Sequence, residues 1–196
     1  MSRWLDALSL PASVRNDPEL SGTPQRVAEA WLGDLVDGYR QDPAVILSGA
    51  MPNAGEDLVA VTGIDFHSIC PHHLLPSRGV AHVAYVPGGE VVGFGQLARL
   101  IDCLSHRLII EEDLARQVAE ALMVHLHARG AACVLDAEQF CLTVRGERRP
   151  ATRAHVQSFL GCMKDDRHLQ RRFLGMLEGG REKSPRKRGA RRRQKR

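Results

Sequence analysis

Apolar positions along the chain switch between helical and strand spacing, which predicts that both kinds of element are present. Between residues 24 and 39 apolar side chains recur at helical spacing, which favours an amphipathic helix. Thr23-Pro24 before this run is typical of an N-cap followed by proline in the first helical turn. A short helix is also predicted within residues 1–10, and glycine and proline in residues 43–57 predict a connection.

The rest of the pattern predicts a sheet with helices beside it. Residues 57–66 and 79–86 are strand-like runs, and Pro87-Gly88-Gly89 closes the second run with a turn. The further predicted elements are helices over residues 95–107 and 111–129, a long strand or strand pair over 131–146, and a last helix over 165–178. Acidic residues open the second of these helices, and Gly130 is its predicted stop. This order favours an α+β fold with an antiparallel sheet.

Composition narrows the class of protein. A chain of 196 residues with 43% hydrophobic side chains fits one globular domain with a substantial core. No run approaches the roughly 18–20 uncharged apolar residues of a membrane span, and Asp6 interrupts the apolar N-terminus. We therefore expect a cytoplasmic protein that has no membrane partner.

The net charge of +4 hides two oppositely charged parts of the chain. The last 16 residues carry ten Lys or Arg and one Glu, whereas the first 180 carry 17 basic and 22 acidic side chains. Lys164 is the only lysine of that larger part. We expect a disordered basic tail over residues 179–196 that binds polyanions without specificity. A specific nucleic-acid role stays open, although no aromatic residue lies between the charges to stack on bases.

Cysteine and histidine indicate a metal centre. Five cysteines in a chain of this length do not indicate a disulfide framework, so free thiols or metal ligands are expected. Cys70 and His73 lie three positions apart, which lets both reach one ion, and zinc prefers thiolate and imidazole ligands. His72 would then lie beside the metal. Three protein ligands and one open position form the catalytic pattern.

Cys141 is the strongest candidate for the third ligand. If this region is a strand, Gln139, Cys141, Thr143 and Arg145 share one face, and the opposite face is mostly apolar. A thiol, an amide, a hydroxyl and a guanidinium are the components of a site. Two alternatives stay open: Cys70 as an inert buried thiol beside two surface histidines, and Cys141 as a core cysteine.

Six segments, taken in this order, resemble the GTP cyclohydrolase I family. They are TPQRVAEAW (23–31), SICPHHLLP (68–76), RGVAHVAYVP (78–87), GFGQLARLIDCLSHR (93–107), EEDLARQVAEAL (111–122) and DAEQFCLTVRG (136–146). The resemblance covers about residues 20–175. It implies a tunnelling-type α+β fold with two long helices packed on one face of an antiparallel sheet. It also implies a closed, decamer-type ring of subunits with active sites between neighbours.

The resemblance divides the chain into three parts and implies a reaction. Residues 1–50 would form an N-terminal helical segment, 51–178 the catalytic domain and 179–196 the tail. In the implied reaction, water activated by zinc attacks C8 of GTP, the imidazole ring opens, formate leaves, and the product closes to the pterin 7,8-dihydroneopterin triphosphate. Zinc suits this chemistry because it lowers the pKa of a water ligand from about 16 to about 7.

Site residues follow by resemblance. Cys70, His73 and Cys141 match the zinc ligands, and His72 is suited to move protons because imidazole titrates near neutrality. Glu112 matches the family's guanine-binding acid, whose carboxylate accepts hydrogen bonds from the ring N–H and the amine. A further set matches positions that hold the triphosphate: Arg26, Arg99, Arg145 and Gln96.

Four departures from the family pattern matter. Gln139 stands where the family has a second catalytic histidine, and glutamine cannot move a proton near pH 7. Glu29 and Gln96 stand where lysine is usual, Pro71 replaces an acid of the metal loop, and His155 stands where a small polar residue is usual. His155 is either a relocated proton carrier or a surface histidine. Together the changes touch proton transfer and phosphate binding but spare the metal ligands, which favours specialisation over decay.

Three functional hypotheses therefore stand. The first is a zinc-dependent hydrolase of the GTP cyclohydrolase I type that acts on GTP or a related guanine compound. The second is a purine ring-opening hydrolase that stops before pterin formation or uses a substrate with fewer phosphates. The third is a non-catalytic relative that binds a purine or pterin and regulates partners, and the retained metal residues argue against it.

Overall fold

An antiparallel sheet organises the chain, and the computed structural model describes residues 2–181 of it. The strands in chain order are β1 (Met51–Pro52), β2 (Val59–Ile69), β3 (Pro76–Val86), β4 (Glu90–Val91), β5 (Gly130–Gln139) and β6 (Ala154–Gly161). The main sheet has the order β2-β3-β5-β6 with every neighbouring pair antiparallel, and β1 pairs with β4 separately. The α+β class and the antiparallel sheet are thus confirmed.

Nine α-helices lie within the described residues. They are α1 (Ser2–Ala7), α2 (Ala12–Arg15), α3 (Thr23–Ala30), α4 (Pro43–Leu47), α5 (Phe94–Ser105), α6 (Glu111–His125), α7 (Phe140–Thr143), α8 (Cys162–Asp165) and α9 (Arg167–Arg181). A π-helical turn over Trp31–Leu35 continues α3, and 3-10 turns cover Pro18–Leu20 and Asp37–Arg40.

The two longer central helices, α5 and α6, pack on one face of the main sheet, as predicted. Their apolar sides bury side chains such as Leu97, Leu100 and Leu114 completely, in one core cluster with Val83 of β3. The opposite face receives α9 through the fully buried Phe173. Burial of such side chains stabilises the fold by about 1.5–3 kcal/mol each. The sheet is therefore held between two helical layers, and one of its ends is left free to carry a site.

Several predicted boundaries are wrong for identifiable reasons. The N-cap of α3 is Gly22, because Thr23 is already helical. The predicted connection over residues 43–57 contains α4, whose first turn begins with Pro43 and is capped by the Asp42 side chain. Gly130 does not stop α6, which ends at His125; it opens β5. A Cβ at that glycine would lie 2.6 Å from the backbone nitrogen of Met163, so its role is close packing.

The predicted strand over residues 131–146 is also too long. It ends at Gln139, and a helical turn, α7, follows. Ser77 of β3 pairs with Gln139, so the next rung would place Pro76 opposite Phe140. Proline has no N–H to donate, and the ladder stops there. Residues 154–161, which were not predicted as a strand, form β6 on the other side of β5.

The tail prediction falls largely outside the described residues, since residues 182–196 are not among them. The three-part division of the chain likewise stays a prediction. Within residues 2–181, every helix is too short or too polar to cross a bilayer.

Candidate metal centre

The loop between β2 and β3 presents three of the predicted site residues, Cys70, His72 and His73. Two backbone hydrogen bonds close this loop: Cys70 N–H donates to Leu75 O at 2.9 Å, and Leu74 N–H donates to Cys70 O at 2.9 Å. Leu74 adopts a φ of +53°, which reverses the chain within the loop. The tight reversal brings the Cys-x-x-His pair to one side.

Cys70, His73 and Cys141 form a group that could hold a metal ion. Each residue offers one ligand atom, and the three atoms all lie within 4.8 Å of one another. Sγ of Cys70 and Nδ1 of His73 are 3.6 Å apart. Zinc–sulfur and zinc–nitrogen bonds of about 2.3 Å and about 2.0–2.1 Å give a tetrahedral edge of about 3.6 Å. The residues present therefore fit a metal with two thiolates and one imidazole, which leaves one position open.

Cys141 reaches this group from α7 rather than from a strand face, so the predicted alternation across residues 139–145 is wrong there. Its thiol is half-buried. Burial, with the nearby sulfur of Cys70 as a second cause, raises the pKa of the Cys141 thiol. A cation bound between the two sulfurs reverses that preference, because metal binding requires the thiolate.

His72 lies next to the metal group without belonging to it. Its Nδ1 is 3.9 Å from Sγ of Cys70, and its ring stands edge-on to that of His73 with centroids 6.1 Å apart. The side chain is exposed. This position, near the metal group and open to solvent, matches the expectation that His72 lies beside the metal.

A cavity of about 280 Å³ adjoins the metal group. Its wall includes Cys70, His72, His73, Ser77, Ile109, Ile110, Glu111, Glu112, Gln139 and Cys141. Two backbone hydrogen bonds set the wall in place: Ile69 N–H donates to Arg107 O at 3.2 Å, and Ile109 N–H donates to Ile69 O at 3.0 Å. The end of β2 is thus joined to the residues that precede α6, and two of the three acids in the first turn of that helix, Glu111 and Glu112, reach the cavity.

Glu111 and Ser68 are site residues that the sequence reasoning did not single out. Both are buried, and Oγ of Ser68 donates to Oε1 of Glu111 at 3.3 Å. Nε2 of Gln139 donates to Oε2 of the same carboxylate at 2.8 Å. The available signal was the run of three acids at the start of α6, of which only Glu112 was given a role in the site.

The four predicted phosphate-binding residues lie outside this cavity of the same chain. Arg26 is exposed on α3 and donates to Glu19 O, and Arg99 is exposed on α5 and donates to Gly95 O. Gln96 caps the start of α5 and donates to Ile46 O at 2.8 Å. Arg145 is exposed beyond α7. One chain alone does not bring them to the metal group.

The other residues that depart from the family pattern lie outside the wall of the metal cavity. Glu29 is exposed and accepts from Nε2 of Gln25 at 2.6 Å. His155 is exposed on β6, with its Nδ1 3.8 Å from Asp136, and is not part of the cavity wall. Pro71 lines a neighbouring recess together with His72.

Three further cysteines are free thiols away from the metal group: Cys103, Cys133 and Cys162. Burial raises the pKa of the Cys103 and Cys133 thiols, which keeps both uncharged. Among the described residues, none of the three belongs to the metal group of Cys70, His73 and Cys141.

A second histidine cluster joins β2 to the end of α5 and to the segment before α4. The rings of His67 and His106 stack with centroids 3.9 Å apart, and Nδ1 of His106 lies 2.7 Å from Asp37. Burial, followed by the charge of His106, lowers the pKa of His67. No partner was predicted for either histidine, because the contact joins residues far apart in the chain.

Comparison with known proteins finds one family. A model of the GTP cyclohydrolase I family matches residues 5–178. A relative named GTP cyclohydrolase 1 from Ralstonia nicotianae is 45% identical, with 90% of each chain covered. A relative of the same name from Chromobacterium violaceum is 43% identical, and the match covers 85% of this chain and 82% of the relative. Another, from Gloeobacter violaceus, is 41% identical, and the match covers 88% of this chain and 83% of the relative.

One solved structure is also similar, though weakly. The archaeosine synthase QueF-Like in the apo form is covered over 97% of its chain and matches 56% of this one. The TM-score is 0.46 and the sequence identity 17%, a likeness too weak to carry an argument.

Proposed function

The chain belongs to the GTP cyclohydrolase I family, and from this membership we propose that it opens the imidazole ring of GTP at C8 and forms 7,8-dihydroneopterin triphosphate and formate. It is a hydrolase of the GTP cyclohydrolase I type. The observation that carries the proposal is the convergence of Cys70, His73 and Cys141 on a cavity that also exposes Glu112.

The proposed metal is zinc, held by Cys70, His73 and Cys141. Two sulfurs and one imidazole nitrogen are a donor set that zinc prefers in catalytic sites. The ion would supply a water of lowered pKa at the reacting carbon and polarise the atoms around it.

His72 is proposed to move protons between the cavity and solvent. An imidazole titrates near neutral pH, and this one is exposed at the cavity wall beside the metal group. Glu112, in the first turn of α6, is proposed to bind guanine. Its carboxylate accepts two hydrogen bonds, as the ring N–H and the exocyclic amine of guanine require. Gln139 is proposed to hydrogen-bond the reacting part of the substrate.

The triphosphate site is proposed to be completed by a neighbouring subunit in a closed, decamer-type ring. Support comes from the placement of Arg26, Arg99 and Arg145, which are exposed and outside the cavity of their own chain. Guanidinium groups suit phosphate binding. A mixture of Arg99→Ala and Cys141→Ser chains, each inactive alone, should regain activity after subunit exchange. No regain in mixed rings would contradict a shared site.

A second candidate is a hydrolase that stops after ring opening or prefers fewer phosphates. The observations that favour it are Gln139, which lies in the cavity wall and cannot titrate, and Glu29, a carboxylate at a position where the family usually has lysine. Either change removes a group that the complete reaction would use.

The test is to incubate the zinc-loaded protein separately with GTP, GMP and guanosine and to identify the products by mass spectrometry. We expect dihydroneopterin triphosphate and formate from GTP. A ring-opened formamide or triaminopyrimidine product, or turnover only of a substrate without the triphosphate, would favour the second candidate. An intact substrate in every reaction would contradict both.

A further inference from the structure

Glu111 is a buried carboxylate in the wall of the metal cavity, and only 5% of its surface is exposed. A carboxylate in such a place is costly unless its oxygens are hydrogen-bonded. Both oxygens have a partner: Oε1 accepts from Ser68 at 3.3 Å and Oε2 accepts from Gln139 at 2.8 Å. Its position in the first turn of α6 adds the favourable end of the helix dipole.

The partners of Glu111 are neutral donors. Within residues 2–181, no Lys, Arg or His forms an ion pair with it. Of the two hydrogen bonds that Glu111 accepts, the one from Gln139 is the shorter. The carboxylate and the amide therefore form one unit at the end of β5.

This contact determines which way the Gln139 amide faces. An amide has a donating nitrogen and an accepting oxygen, whereas an ionised carboxylate can only accept. Nε2 of Gln139 donates to Oε2 of Glu111, so a half-turn of the amide would place Oε1 of Gln139 against that carboxylate oxygen. Two acceptors would then face each other without a hydrogen between them. Oε1 of Gln139 accepts no hydrogen bond from the rest of the described chain, and it is not enclosed. Since Gln139 lines the cavity, its carbonyl oxygen is the end available to a ligand.

We propose that Glu111 is a positioning residue that fixes the Gln139 amide, so that position 139 presents a hydrogen-bond acceptor to the substrate in the metal cavity. The inference rests on the proposed function of this cavity. Glu111 acts through Gln139 and does not itself touch the reacting atoms. Position 139 then orients an N–H or O–H group of the substrate or the attacking water.

The test compares Glu111→Gln with Glu120→Gln. Glu120 lies on the same helix and pairs with Arg116 at the surface, so its substitution is a matched control. Gln at position 111 can both donate and accept, and the amide of Gln139 is then free to rotate. The first measurement needs no substrate: the NMR resonances of the Gln139 side-chain amide, assigned by their loss in Gln139→Met. We expect Glu111→Gln to shift these resonances and Glu120→Gln to leave them in place.

The second measurement is turnover of GTP by the zinc-loaded variants, with zinc content measured alongside. We expect kcat of Glu111→Gln to fall about 10- to 100-fold, the range that a misplaced contact costs, while KM changes less than about twofold. Zinc content should stay the same. Unshifted Gln139 resonances, a fall in kcat that Glu120→Gln matches, or an effect on KM alone would overturn the proposal.

Two further outcomes are distinguishable. If the wild type does not turn over GTP, the proposed function fails, while the resonances still test the Glu111–Gln139 pair. If Glu111→Gln does not fold, Gln139→Met takes its place, because it keeps the shape and removes the amide. The same loss of kcat at full zinc content would then support the proposal, and an undiminished kcat would overturn it.

Discussion

Sγ of Cys70 lies 3.6 Å from Nδ1 of His73, the separation of two ligands on one tetrahedral edge. Cys141→Ser should therefore lower zinc retention, since it removes the third ligand of the group. We expect the loss in zinc affinity to exceed the about 10- to 100-fold cost of changing an outer-shell partner. Competition with a chromogenic chelator measures it. The control is Cys162→Ser, which changes a thiol outside the group; equal zinc loss in both variants would contradict the assignment.

Gln139→His tests whether the missing histidine limits the reaction. The imidazole would replace an amide that now donates to Glu111, and the same carboxylate would hold its N–H and fix its tautomer. General acid–base catalysis contributes about 100- to 10,000-fold, so a detectable gain in pterin formation from GTP is expected. The double variant Glu111→Gln/Gln139→His should lose most of that gain. If the single variant gains nothing, proton transfer at position 139 is not limiting.

The stacked pair of His67 and His106 predicts how stability depends on pH. The pKa of His67 is lowered in the folded chain by burial and by His106, so protons bind more readily to the unfolded chain. Its contribution to stability is complete above about pH 6.5 and is lost as pH falls toward the lower folded-state pKa. Thermal unfolding between pH 7.5 and 5 should show a smaller fall in Tm for His67→Gln than for wild type. His168→Gln, at an exposed position on α9, should behave as wild type.

Truncation after Arg181, the last residue of α9, tests the basic tail. The removed residues carry nine Lys or Arg and one Glu, so the shortened protein should elute from a heparin column at lower salt. Turnover of GTP should stay unchanged, since the family match ends at residue 178. A loss of turnover at full zinc content would show that the tail takes part in the reaction.

Local sequence signals predicted the parts of the site that lie close together in the chain. The Cys70-x-x-His73 spacing gave two ligands, because a single loop closed by backbone hydrogen bonds presents both. Cys141 was predicted to join the group, and it does. It was wrongly placed on a strand, because Pro76 on the neighbouring strand ends the ladder at Gln139. A single segment carries no information about which residue will face it across the sheet.

Glu111 shows a second limit of sequence reasoning. An acid in the first turn of a helix is ordinarily explained by the helix dipole, and nothing adjacent to it in the chain reveals a partner 28 positions away. Only the fold brings it to Gln139. The helices α5 and α6 were found because each carries a long apolar stripe. Strand β6 was missed because the alternation of its apolar and polar residues breaks after Val156.

The backbone hydrogen bonds of Ile69 limit how the substrate specificity of this enzyme can change. Its N–H and C=O are both bonded to the segment that leads into α6, which ties the metal loop to the acids of the first helical turn. The two sides of the cavity are therefore joined through the backbone as well as through side chains. New specificity arises most readily by exchanging side chains at fixed points, as at position 139, and least readily by shifting the metal relative to the purine.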